Sequence, residues 1–284
     1  MASVALGNFD GVHIAHRTVL EKAARQGDSV CLLFDKHPLE VLQGKAPERL
    51  LDADKTRQKI AACGIERCVY LDFEALKDNS AEWFFQTVLL EQLHADHIFC
   101  GYNYSFGKNR EGDVKTLARL CARHGVTLHV EAPVEFEGAP VSSSRIRHCL
   151  HRGEVEQANR MLGYNFFFES EVVQGKQLGR ELGFPTMNQY LPEQMVKLRA
   201  GVYASVLTLE GKAYRALTNI GNNPTLGTDG FRSESYVFEY SGNAYGKTAR
   251  VELLQFIREE QKFDTVQALK AQVSADIERA KNHV

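Results

Sequence analysis

Gly7-Asn8-Phe9-Asp10-Gly11-Val12-His13-Ile14-Ala15-His16 stands between the apolar Val4-Ala5-Leu6 and a helical repeat of Val19, Leu20, Ala23 and Ala24. The triplet reads as the end of a buried strand, the two glycines as a sharp loop, and the repeat as a helix. His13 and His16 then fall in or beside the first turn of that helix. Amide donors lack partners there, and the positive end of the helix dipole attracts anions. Two imidazoles at such a place can stabilise charge that builds on a phosphate during nucleotidyl transfer. An H-x-x-H pair alone equally fits a capped helix start or half of a metal site; the strand, loop and helix around it favour the phosphate reading.

A chain of 284 residues suffices for two ordinary domains, and 44% apolar with 25% charged residues is the composition of a soluble globular protein. A formal charge of −2 argues against general binding to nucleic acid or an anionic membrane, which rests on a basic excess. Any phosphate binding must be local. The six cysteines (Cys31, Cys63, Cys68, Cys100, Cys121, Cys149) form no C-x-x-C pair, and several lie in apolar runs. Buried reduced thiols and a cytoplasmic location are the expectation. No apolar run approaches the roughly 18 residues of a membrane span, and nothing resembles a signal peptide.

Residues 1 to 130 alternate apolar runs (29–34, 68–71, 97–100, 127–130) with helical stretches (54–63, 81–93, 114–124). Such alternation implies a doubly wound parallel α/β sheet. Ligands of that architecture bind beyond the carboxyl ends of the strands, which is where 7–16, 34–38 and 101–107 would meet in one crevice. Residues 142–162 are helical twice over, with a break at Gly153. From Phe166 the segments 166–173, 203–209, 214–219, 233–240 and 249–257 are β-rich without intervening helices, which reads as a small antiparallel barrel. Thr265 can cap a last helix whose Val266, Leu269, Val273 and Ile277 form an apolar stripe read as core. The expected division is 1–163 and 164–284.

Further stretches carry chemistry. Lys36 and His37 of F-D-K-H-P follow the second strand and could reach a phosphate, although a solvated loop explains them as well. In Gly101-Tyr102-Asn103-Tyr104-Ser105-Phe106-Gly107 the amide, hydroxyl and rings suit a flat ligand, and Tyr104 and Phe106 fit side-chain packing equally. Ser142-Ser143-Ser144-Arg145-Ile146-Arg147 can cap a helix and present Arg147 to a polyphosphate. Gly175, Gly179 and Gly183, at intervals of four, allow backbone amides to approach phosphates before Pro185-Thr186-Met187-Asn188. The Thr186 hydroxyl and Asn188 carbonyl are hard oxygens of the sort Mg²⁺ accepts. Glu234, within Arg232-Ser233-Glu234-Ser235-Tyr236, is either a general base or an ordinary solvated strand glutamate.

Taken in order, G-N-F-D-G-V-H-x-x-H, F-x-x-H-P, G-Y-N-Y-S-F-G, S-S-S-R-I-R, G-F-P-T-x-N, Asn219-Ile220-Gly221 with Pro224-Thr225, and Tyr245-Gly246-Lys247 resemble the bacterial bifunctional riboflavin kinase/FAD synthetase family over nearly the whole chain. The resemblance implies an amino-terminal nucleotidyltransferase-like domain that transfers AMP from ATP to FMN and a barrel domain that phosphorylates riboflavin with ATP. It further implies that His13 and His16 stabilise the α-phosphate transition state. Gly7, Asn8, Phe9, Asp10, Gly11, His37, Asn103, Tyr104, Phe106, Ser142, Ser143 and Arg147 would contact nucleotide or flavin. In the barrel Gly175, Gly179, Gly183, Pro185 and Asn219 would do the same, Thr186 and Asn188 would hold Mg²⁺, and Glu234 would deprotonate or orient the ribityl hydroxyl. The implied partners are ATP, riboflavin and FMN, with no nucleic acid or membrane.

Three positions depart from the family pattern. Ala15 stands where glycine is usual, Lys36 replaces a proline, and Tyr236 takes the place of a common histidine. The amino end is short, so the first strand is expected to be trimmed or to start differently. These departures leave two alternatives: a kinase with a weak or inactive adenylyltransferase domain, and a flavin-binding regulator without turnover.

Overall fold

The strand that precedes the glycine loop, β1 (Ala2–Leu6), is buried along its whole length, as a strand covered on both faces must be. In the computed structural model, which describes residues 2–175, 179, 182–222 and 231–281, contacts divide the chain into two units, residues 1–143 and 144–284. The first unit adds β2 (Ser29–Phe34), β3 (Arg67–Leu71), β4 (Ala95–Gly101) and β5 (Thr127–Glu131) to one parallel sheet in the order β3-β2-β1-β4-β5. Val4, Leu6, Val30, Leu32, Ile98 and Cys100 face one side of it, and Ala5, Cys31, Leu33 and Phe99 the other, so both faces carry an apolar core. Helices α1 (Ile14–Ala24), α2 (Pro38–Gln43), α3 (Ala53–Ala62), α4 (Phe73–Leu76), α5 (Ala81–Trp83) and α6 (Val114–His124) lie between the strands. The expected helix over 81–93 is present, but beyond α5 it continues through Phe84–Gln92 as a wider π-type winding that buries Phe84, Phe85, Val88 and Leu89.

Chain order runs outward from β1 to β3 and then returns to β4 on the opposite side of β1. That reversal makes the β1/β4 edge the switch point of the sheet, and the loops after β2, β1 and β4 leave neighbouring strands at the same end. The three expected loops therefore share one rim.

In the second unit α7 (Ser143–Arg152) and α8 (Val155–Leu162) lead into β6 (Phe167–Glu171), β7 (Thr186–Tyr190), β8 (Gly201–Leu209), β9 (Lys212–Asn222), β10 (Phe231–Val237) and β11 (Thr248–Arg258), closed off by α9 (Val266–Lys281). The sheet order is β6-β11-β8-β9-β10-β7, with every neighbouring pair antiparallel. The ends β6 and β7 nearly close it into a barrel. A backbone bridge from the Val173 amide to the Asn188 carbonyl (2.8 Å) spans the gap at one level. One residue on, the buried Gln189 Nε2 donates to Ser170 O and Ala249 O, both at 2.8 Å. Inside, the hydroxyls of Ser205, Thr218 and Ser235 form a row at 2.7 and 2.8 Å.

The sequence pattern does not predict β7, because Pro185 and Asn188 are turn-forming residues. Proline directly before a strand on the sheet margin costs no ladder bond. The last helix is capped by Thr265 as expected, its hydroxyl accepting from the Ala268 amide at 3.1 Å. The apolar stripe is shorter than expected: Val266 is 53% exposed, whereas Ile277 is buried against Val202, Ala204 and Leu217. The helices of 143–162, expected in the first domain, fall almost wholly in the second compact unit. No described helix is long and apolar enough to cross a membrane.

Helix α9 is fixed by a buried ion pair. Arg258 donates to Asp276 Oδ2 through Nη2 and Nε at 2.7 and 2.8 Å, and Gln272 donates to Oδ1 at 2.9 Å, with the Asp276 side chain fully buried. Removing one partner strands the other charge, at a cost of about 3 kcal/mol or more. Asp276→Ala should therefore speed amide exchange in α9 by about 100-fold, as read by hydrogen-exchange mass spectrometry of the full chain.

Candidate active sites

At the end of β1 the backbone enters conformations that side chains seldom adopt. Phe9 and Val12 have φ of 50° and 38°, in the left-handed region. Strain of that kind persists only when the surroundings enforce it. Here Asp10 does so from two atoms: its Oδ1 accepts from the Leu50 amide at 3.0 Å, and its carbonyl accepts from the Ser143 hydroxyl at 2.9 Å. Gly7 is needed because a Cβ there would stand 3.0 Å from the Phe9 ring. The buried Phe9 ring meets His16 edge-on at 5.3 Å, and His13 stacks on His16 at 3.5 Å. His13 is the N-cap of α1, its Nδ1 accepting from the His16 amide at 3.3 Å. That bond puts the His13 proton on Nε2, leaving it as a donor. The His16 Nδ1 is buried without a partner among the described residues. Two aligned neutral donors thus sit at a helix start on a loop held at both ends.

In the second unit, strand register builds the candidate site. Asn188 of β7 faces Glu234 of β10, which in turn faces Asn219 of β9, so three polar side chains form one row across three strands. Thr186 lies two residues along β7, opposite Tyr236. Asn188 is 5% exposed; its Nδ2 donates to Thr186 O at 3.2 Å and its Oδ1 accepts from Arg232 Nη2. Arg232 also pairs with Glu234 at 3.1 Å. The Asn219 Nδ2 donates to Glu260 Oε1 at 2.9 Å. Gly175 and Gly179 are required for close approach within the protein itself: a Cβ at 175 would lie 2.5 Å from Asn188 Nδ2, and one at 179 would lie 2.5 Å from Phe184 O. The Phe184 amide returns a 2.8 Å bond to Gly179 O, and its ring meets Tyr236 edge-on. Lys176, Gln177, Leu178, Arg180 and Glu181 of this flap, and Pro224 and Thr225, lie outside the described residues.

The family model described as FAD synthetase matches residues 1–145, and that described as riboflavin kinase matches residues 162–284. A bifunctional riboflavin kinase/FMN adenylyltransferase from Pseudomonas fluorescens is 34% identical over 97% of this chain and 91% of its own. The chain belongs to the bifunctional riboflavin kinase/FMN adenylyltransferase family. A relative of the same description from Listeria monocytogenes is 32% identical over 96% of this chain and 89% of its own. A crystal structure titled as a macrolide-efflux protein from Streptococcus pneumoniae superposes with a TM-score of 0.91, at 29% identity over 99% of this chain and 94% of that one. The two activities of the family are phosphorylation of riboflavin to FMN and adenylylation of FMN to FAD, both with ATP.

Not every sequence candidate gathers at these sites. His37 caps α2, its Nδ1 accepting from the Leu39 amide at 3.1 Å. Phe106 is buried in the core, 5.7 Å from both Phe84 and Tyr104, which is the packing alternative. Asn103 is exposed on the loop after β4, and Arg147 lies on α7 in the second unit. Two residues went unforeseen. Arg232 had a legible signal, since strand alternation puts it on the same face as Glu234. Glu260 had none, because only the folded chain brings it to Asn219.

Burial pulls the His13 imidazole down to about 4, while burial and then the nearby His13 pull His16 well below the usual histidine value. Both are neutral at pH 7. In the unfolded chain each would titrate near 6.5. Between pH 6.5 and about 4 the unfolded chain therefore takes up protons that the folded one refuses, so stability present above 6.5 is lost as the pH falls. For the 3% exposed His13 the loss is about 3 kcal/mol. Asparagine is a good N-cap. His13→Asn should keep α1 and flatten the acid-side fall of the unfolding midpoint, followed by fluorescence of Trp83, the chain's one tryptophan.

Proposed function

We propose that adenylyl transfer occurs at the His13/His16 loop and phosphoryl transfer at the Thr186, Asn188 and Glu234 row, with the domain division at 163/164. The observation that carries this reading is that each compact unit holds its own set of polar groups: stacked imidazoles at a helix start in one, an oxygen-rich strand row in the other.

In the first reaction a phosphate oxygen of FMN attacks the α-phosphorus of ATP, the α–β bridging bond breaks, and pyrophosphate leaves. Neutral imidazole N–H groups and the open amides of α1 donate to the oxygens on which charge grows. Gly7, Asn8, Gly11, Ser142 and Ser143 shape the same rim, with Asn103 and Tyr104 contacting flavin. In the second, the riboflavin 5′-hydroxyl attacks the γ-phosphorus, ADP leaves, and Glu234 takes the hydroxyl proton. Asn219 beside Glu234 orients the ribityl chain, while Gly175, Gly179, Gly183 and Pro185 shape the turn over the nucleotide.

Mg²⁺ is the proposed cation. Among the described residues no cluster of three or more His, Cys, Asp or Glu groups could hold a metal ion. The Thr186 hydroxyl and the second lone pair of Asn188 Oδ1 fit a cation that shares the nucleotide's own oxygens. Bound there, it neutralises charge on the polyphosphate. The free, mainly buried thiols support the cytoplasm as the compartment.

Chromatography that resolves riboflavin, FMN and FAD tests the roles. His16→Ala should lower FAD formation from supplied FMN by at least about 100-fold and spare FMN formation. Thr186→Ala should do the reverse by a similar factor. Equal losses of both activities in either variant would break the assignment.

A further inference from the structure

Arg232 has 9% of its surface exposed, so its guanidinium is nearly dehydrated. An aliphatic side chain at this strand position would avoid that cost. The contacts of the cation are specific: Nη2 donates to Asn188 Oδ1 and lies 3.1 Å from Glu234 Oε1. The backbone of Gly175 lies against both groups, since a Cβ there would stand 2.7 Å from Nη2 and 2.5 Å from Asn188 Nδ2. The Nε is buried without a partner among the described residues, so the guanidinium keeps a donor unspent.

The bond to Oδ1 has a chemical consequence. An asparagine amide can turn over and exchange its oxygen for its NH₂. Arg232, which only donates, accepts one orientation: oxygen toward itself and Nδ2 toward Thr186 O. The same guanidinium draws the Glu234 carboxylate to the same place. Lysine, one bond shorter from Cα to its terminal nitrogen and without the planar guanidinium, does not bring a donor to the place of Nη2 between the two acceptors.

We propose that Arg232 is a positioning residue for phosphoryl transfer to riboflavin, fixing the Asn188 amide oxygen and the Glu234 carboxylate in one arrangement on the nucleotide side and the hydroxyl side of the site. The inference rests on the reading of Asn188 and Glu234 as the working groups of the kinase.

The test is steady-state FMN formation by the full chain with riboflavin, ATP and Mg²⁺, with FAD formation from supplied FMN as internal control. Arg232→Met should lower kcat for FMN formation by about 100-fold, as expected for misplaced reacting groups, with little change in KM for riboflavin and with FAD formation intact. Arg232→Lys, which keeps charge and most of the volume, should lose at least about tenfold. Guanidinium chloride in the millimolar range should restore part of the kcat of Arg232→Ala and none of Glu234→Gln. Wild-type kcat in Arg232→Met or Arg232→Lys alongside an inactive Glu234→Gln overturns the positioning role alone. If the Met variant does not fold, a fully active Lys variant overturns it equally. A fully active Glu234→Gln removes the underlying reading, and the role of Arg232 with it.

Discussion

The side-chain amide of Gln189 carries the closure of the second unit. β6 and β7 are the free margins of a six-stranded sheet, and unpaired margins of buried strands leave polar groups unmet. Gln189 reaches from β7 to the carbonyls of Ser170 and Ala249 on β6 and β11, doing with a side chain what a ladder would do with backbone. β7 is thereby tied to the far margin of the sheet, while its own ladder with β10 sets the register of Thr186 and Asn188. The placement of Asn188 opposite Glu234 follows from that ladder and from the period-two alternation of the strands.

The first unit solves a related problem with different means. Its central strands β1, β2 and β4 are covered on both faces by apolar cores. The loop after β1 is stiffened by Asp10, which reaches Leu50 and Ser143, and by an aromatic stack of Phe9, His16 and His13. The imidazoles remain uncharged there because burial opposes a proton more strongly than local bonds favour it. Held as oriented neutral dipoles, they cost less than two buried positive charges would.

Much of this was legible in the sequence, for identifiable reasons. Strands such as Ser29–Phe34 and helices such as Val114–His124 declare themselves through continuous or periodic apolar residues, and the glycines of the first loop mark a turn whichever way the chain folds. What stayed hidden depends on partners distant in sequence. Thr186 and Asn188 read as cation ligands, and nothing local shows that they stand on a strand paired with β10. Val266 continues the apolar stripe of its helix, yet only the later Val273, Ile277 and Ala280 join the cluster with Val202, Ala204 and Leu217. Phe106 and His37 matched motif positions, yet tertiary packing and helix capping explain where they sit. The row of Asn188, Glu234 and Asn219 is a property of register, which no single strand contains.

The hydroxyls inside the barrel add one more consequence. Ser205 sends its only proton to Ala216 O at 3.1 Å. Thr218 must then direct its proton at Ser205, and Ser235 its own at Thr218, since each oxygen owns a single hydrogen. The lumen is therefore polarised in one sense, a relay of dipoles that cannot reverse at one link without reversing at all of them.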